Sequence, residues 1–161
     1  MKSITCILLS LVAATGIRAL SPLDASFLEN AVRSGLAEVA ISAAVADNLT
    51  KLEVKNFALM MIADHGKANA ELSALADRKG VVIREKSRYV KELTQRWSQR
   101  LADQDTAYLE KMETDHKESI TLFEIATKGQ DPEIAAIAEK NLPLLRHHLA
   151  TLQSLRRNEK E

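Results

Sequence analysis

Four stretches of this chain carry apolar residues at alternating intervals of three and four, the repeat that lines one face of an α-helix. The first stripe is Phe27, Ala31, Ser34, Glu38, Ile41 and Val45, running to about Asn48. The second is Val54, Ala58, Met61, His65, Ala68, Leu72 and Leu75, closing at Lys79-Gly80. The third begins near Asp103 or Asp105, carries Leu109, Met112, His116, Ser119, Phe123 and Ala126, and stops at Lys128-Gly129. The fourth is Ile134, Ala138, Asn141, Leu145, His148, Leu152 and Leu155. Five Gly and three Pro in 161 residues leave few breakers, which suits long helices and disfavours a many-turned β-sandwich. Because 46% of residues are hydrophobic but only 4% aromatic, the core between such helices has to be aliphatic.

Local signals set the ends. Ser21-Pro22 reads as an N-cap followed by Pro at the first helical position, and Thr50-Lys51-Leu52-Glu53 as a capping box. Asp131-Pro132-Glu133 caps the fourth helix, and Pro143 should kink it, since proline cannot donate to the carbonyl four residues back. Short turns near 48–50 and 129–131 make two antiparallel hairpins. Between them, residues 81–102 are too long for a turn. Val90, Thr94, Trp97 and Leu101 give that stretch an amphipathic pattern, and about sixteen helical residues would span roughly 24 Å. The expected fold is therefore all-α: a ferritin-like four-helix bundle over 20–157, with a long helical crossover between the hairpins and a frayed tail at 158–161. A short internal repeat, Met61 to His65 against Met112 to His116, agrees with two related hairpins.

The first residues read differently. Lys2, an apolar run over Ile4 to Val12, and small residues ending near Ile17-Arg18-Ala19 have the layout of a secretory signal peptide. Cleavage after Gly16 or Ala19 fits, and residues 1–19 are assigned to it. A retained anchor is the competing reading, although the run is short for a bilayer. Cys6 is the only cysteine, so a processed chain would hold no thiol and form no disulfide. The expected location is periplasmic or secreted. The formal net charge is zero, so no global field points to nucleic acid.

One constellation stands out. Of the four histidines, His65, His116 and His148 occupy otherwise mainly apolar stripes, and Glu38 does the same on the first helix. Counted from the turn near Thr50, Glu38 and His65 differ in height by about 5 Å, within side-chain reach. Three imidazoles and a carboxylate facing inward could bind Zn, Cu or Fe, with Asp64 and Asp115 as acceptors behind the ligands. The alternative is a buried hydrogen-bond cluster with no metal, since buried polar groups usually satisfy one another. A ferroxidase centre lacks its ligands. That pattern needs Glu-x-x-His on two helices, and only Glu113 with His116 matches. No nucleophilic triad, phosphate loop or paired-cysteine motif is present, so no catalytic or cofactor-binding residue is assigned. Met60, Met61 and Met112 read as core filling.

Arg84, Lys86, Arg88, Lys91, Arg96 and Arg100 make the crossover basic, with Tyr89 and Trp97 interspersed. This is either a weak contact for an anionic surface or the solvated side of a helix lying on the bundle.

Several segments in order resemble a bacterial domain-of-unknown-function family of "predicted outer membrane protein" type. They are Asp24-Ala25-Ser26-Phe27 with Gly35 to Val39, Val54 to Ala58 leading to Asp64-His65 and Asn69, then Asp105, Tyr108 and His116. Gly129-Gln130-Asp131 and Leu142-Pro143 through His147-His148-Leu149 complete the set, spanning about Leu23 to Leu155. The resemblance implies a ferritin-like fold outside the cytoplasm and no particular activity. A helical bundle lacks the alternating strands of an outer-membrane barrel, so the label does not carry over. The leading expectation is an exported envelope protein with a non-catalytic, partner- or metal-binding role, stress response among its settings. The alternative is a periplasmic metalloprotein or oxidoreductase with a mononuclear His/Glu site. The envelope partner and oligomeric state are left open.

Overall fold

The computed structural model describes residues 20–84, 86–100 and 103–158. The signal-peptide reading of 1–19, Leu101 of the crossover stripe and the tail at 159–161 lie outside them. Five helices form: α1 (Pro22–Val45), α2 (Leu52–Arg78), α3 (Lys86–Ser98), α4 (Gln104–Ala126) and α5 (Pro132–Asn158). Among the described residues there is no strand, and no helix is long and apolar enough to cross a membrane.

The four long helices share one core, with α1 against α2 and α4, and α5 against α4 and, less closely, α2. The polar contacts at their ends give the directions. Thr50 and Lys51 before α2 bind Asp105 in the first turn of α4, so those two helices start together. Lys79, just past α2, reaches Asp131 and Glu133 at the start of α5, each at 2.7 Å. Thus α2 and α4 run one way, and α1 and α5 return. The linking helix α3 has 13 residues, about 20 Å of rise, and lies on α1. It docks through buried Trp97 with half-buried Leu93, Val90 and Tyr89. Thr94, placed on that stripe by the spacing, is exposed, and its hydroxyl donates to the Val90 carbonyl.

Helix ends follow the local chemistry except at the starts of α2 and α4. The Ser21 hydroxyl accepts from the Asp24 N–H at 3.0 Å and donates to its carboxylate at 2.8 Å. Asp131 Oδ1 accepts from the Glu133 and Ile134 N–H groups. After α2, Gly80 takes φ 71°, the left-handed conformation glycine adopts without penalty, and Val81 N–H returns to the Ala76 carbonyl. Before α4, Asp103 takes φ 47° and makes no side-chain capping bond. Before α2 the expected Thr50–Glu53 box does not form, and the Lys51 side chain does not cap the helix. Asp105 of α4 takes over: its Oδ1 accepts from Thr50 N–H (2.9 Å), and its Oδ2 from Lys51 N–H (2.8 Å) and the Thr50 hydroxyl (3.1 Å). A carboxylate held by another helix brings charge to the cap, which a threonine hydroxyl cannot. Helix α5 runs continuously through Pro143 and includes Asn158.

The core divides along its length. One apolar cluster, around Phe27, Leu28, Leu75, Phe123 and Ile134, fills the end where α1 and α5 begin. The other, around Ile41, Phe57, Met61, Tyr108, Met112 and Leu152, fills the opposite end. Between them, at mid-height on every long helix, lies a polar layer: Glu38, His65, His116 and His148, all buried.

Candidate metal centre

Each residue of the polar layer sits where an apolar residue would continue its helix stripe, so amphipathic packing itself turns the four side chains inward. Glu38 Oε2 lies 2.8 Å from His65 Nδ1, which absorbs the axial offset inferred from the sequence. The far side of that ring, His65 Nε2, is 3.2 Å from His148 Nδ1, and His116 Nε2 is 3.3 Å from the same atom. One ring nitrogen from each histidine falls within 4.8 Å of the others. Ring centroids are 5.2 to 5.4 Å apart.

The outward nitrogens fix the protons. His116 Nδ1 is 2.9 Å from the Met112 carbonyl, which can only accept, so Nδ1 carries the hydrogen. His148 Nε2 is 3.0 Å from the Asp64 carboxylate and donates to it. His65 Nδ1 donates to Glu38. A neutral imidazole has one N–H, so in this state each inward nitrogen presents a lone pair. With His65 neutral as well, three lone-pair nitrogens lie within 4.8 Å of one another.

Burial keeps two of the three rings neutral. Burial pushes His148 down to about 4, against the opposing pull of Asp64. Burial also lowers His116, although Glu38 works the other way. Both rings are neutral at pH 7. Burial alone would raise the Glu38 carboxyl, but the charge and hydrogen bond of His65 bring it below its ordinary value. Glu38 is the anion of the layer.

Two roles differ from the sequence expectation. Glu38 stands behind His65 as its acceptor and is not among the converging atoms. Asp64 does support a histidine, but Asp115 does not: its carboxylate takes the Lys111 ammonium one turn earlier on α4. The two repeat units thus share a histidine position and differ in what the preceding aspartate binds. Sequence reasoning missed the Met112 carbonyl, a backbone atom no composition reveals. It also passed over Gly35 and Asn69 as parts of the site. Asn69 lies one turn after His65 on the same face, and that spacing of four is the signal the sequence offers. Asn69 is buried where neighbouring Ala68, the residue on the expected stripe, is only half-buried. His147 faces solvent. Arg84, Arg88, Lys91, Arg96 and Arg100 are likewise exposed, with Arg88 paired to Glu92 and Arg100 over the Trp97 ring.

Comparison with known proteins adds the family. A model described as "Domain of unknown function (DUF4142)" matches residues 11–155. The chain belongs to the DUF4142 family. No curated protein matches this DUF4142 chain. Among solved structures, the crystal structure of a DUF305 fragment from Deinococcus radiodurans is similar, with a TM-score of 0.71 at 13% identity. The match covers 84% of this chain and 96% of that one, and shows a shared helical fold. Neither comparison carries the outer-membrane designation suggested by the sequence resemblance.

Proposed function

We propose that this DUF4142 protein is an exported, non-catalytic helical protein of ferritin-like plan that holds one divalent metal ion at His65 Nε2, His116 Nε2 and His148 Nδ1. One observation carries the reading: His116 Nε2 and His148 Nδ1 approach to 3.3 Å, although both rings have committed their single protons elsewhere. Two acceptors at that distance repel unless a cation lies between them. Tetrahedral zinc with Zn–N bonds of about 2.0–2.1 Å sets nitrogens roughly 3.3 Å apart, the spacing of the two short edges here. Imidazole donors suit Zn, Cu and Fe. Glu38 and Asp64 behind two of the rings form carboxylate–histidine pairs, which orient ligands and raise their basicity. Two outer carboxylates and three neutral rings also match a divalent charge.

A metal-free hydrogen-bond cluster is the second reading, favoured by the 2.8 Å Glu38–His65 pair. A doubly protonated His65 would donate Nε2–H to His148 and so supply a proton to the centre. Metal analysis of untagged protein, expressed from the full chain and recovered from the periplasm, separates the two. Stoichiometric Zn, Cu or Fe, lost in His65→Ala and His116→Ala, is the expected result. Metal-free protein that gains no thermal stability on titration with Zn, Cu, Fe or Mn would overturn the proposal. Export rests on the layout of residues 1–19, and unprocessed chain confined to the cytoplasm would count against it.

A further inference from the structure

Two buried side-chain atoms find no hydrogen-bond partner among the described residues: Glu38 Oε1 and Asn69 Nδ2. Both residues line the same small cavity of about 20 Å³, which all four long helices border. Glu38 is 1% exposed and Asn69 6%, so bulk water reaches neither. Nearby protein groups are committed elsewhere. The Ser34 and Ser119 hydroxyls bond each other at 3.3 Å, and Asn141 Nδ2 donates to the Ile137 carbonyl. His116 Nδ1, 3.9 Å from Glu38 Oε1, donates to Met112. One orphan is an acceptor and the other a donor, so one small molecule that both donates and accepts would satisfy the pair. The volume exceeds the roughly 10–15 Å³ that a single water requires.

We infer that this cavity is a binding site for one ordered water, which donates to Glu38 Oε1 and accepts from Asn69 Nδ2. Asn69 is then a positioning residue: through the water it fixes the carboxylate that fixes the His65 ring. The backbone is cut to admit it. A Cβ on Gly35 would lie 2.2 Å from Asn69 Oδ1, so the carboxamide can rest against α1 only because residue 35 lacks a side chain. Glu38 follows Gly35 by three residues, on the same face of α1. The inference goes beyond metal binding and holds whether or not the three imidazoles carry an ion.

The test uses the metal-free full chain, isotope-labelled for NMR, with a high-resolution crystal structure beside it. Magnetisation transfer from a long-lived water to the Asn69 side-chain amide is expected, together with a solvent peak in hydrogen-bonding range of both atoms. Asn69→Leu keeps the size and removes the donor. It should abolish the peak and shift the His65 ring-nitrogen signals more than those of His148, whose acceptor Asp64 is untouched. Absence of water contact at Asn69 in the unsubstituted chain overturns the inference, as would a peak or His65 signals unmoved in Asn69→Leu. If that variant fails to fold, the measurement on the unsubstituted chain decides alone. Metal content plays no part in any of these readouts.

Discussion

Replacing Asp105 with alanine removes the acceptor of three hydrogen bonds at the start of α2, two of them from backbone N–H groups. Losing a helix cap costs about 1–2 kcal/mol, and charge-assisted bonds lie at the upper end of the hydrogen-bond range. Thr50 and Lys51 are exposed residues, so water recovers part of the loss. A net cost of about 2–3 kcal/mol follows for Asp105→Ala, or a fall in Tm of roughly 5–10 °C in a domain of this length. Asp105→Asn keeps one acceptor oxygen and should cost about half as much. Thr50→Val removes only the hydroxyl bond and should cost about 0.5–1 kcal/mol. Thermal and urea unfolding followed by circular dichroism would rank the three. Asp105→Ala within about 0.5 kcal/mol of the parent, or costing less than Thr50→Val, would refute capping from α4 as the device that starts α2.

Other outcomes follow from single contacts. Tyr108→Phe leaves the buried Ser42 hydroxyl, 2.7 Å from the phenol, without its partner. It should cost about 1–2 kcal/mol, with Ser42→Ala in the same chain recovering part of that. Burial also raises the Tyr108 phenol above its ordinary value of 10.0, against the Ser42 hydrogen bond. A raised acid pKa means the native chain keeps a proton the unfolded chain gives up. That stability is whole below about pH 10 and is lost as pH climbs further, so tyrosinate absorbance at this residue should appear only with unfolding. Gly35→Ala should cost about 1–3 kcal/mol by overpacking against Asn69, and Gly35→Ala with Asn69→Ala less than the sum of the two single changes. If the histidine centre binds metal, free ion at one hundred times its Kd should stabilise the chain by about 2.7 kcal/mol, and a chelator should reverse it. His148→Ala should show neither effect.

The helices were legible because their apolar stripes are long and seldom broken. Glu38, His65, His116 and His148 were legible as exceptions within those stripes. Only a packed interior at equal heights makes such a set of exceptions meaningful, and the hairpin turns supplied the heights. Less could be read where one element serves another. Asp105 is separated by 55 residues from the N–H of Thr50 that it caps, and nothing local announces the pairing. Asp64 and Asp115 hold equivalent places before a histidine, yet Lys111 lies one turn from the second and diverts it. Ring tautomers were beyond the sequence too, since they depend on which acceptor stands behind each imidazole. Thr94 and Leu93 are adjacent, and a stripe drawn one residue out of phase puts the wrong one on α1.

The three imidazoles are unequally divided: one comes from the α1–α2 hairpin and two from the α4–α5 hairpin. Neither half of the chain owns a complete triad. Whatever grips all three rings works as a clasp across the seam between hairpins. Releasing it would loosen that seam first, while each hairpin keeps its own turn and caps. Amide exchange along the facing sides of α2 and α5 is where such loosening would register.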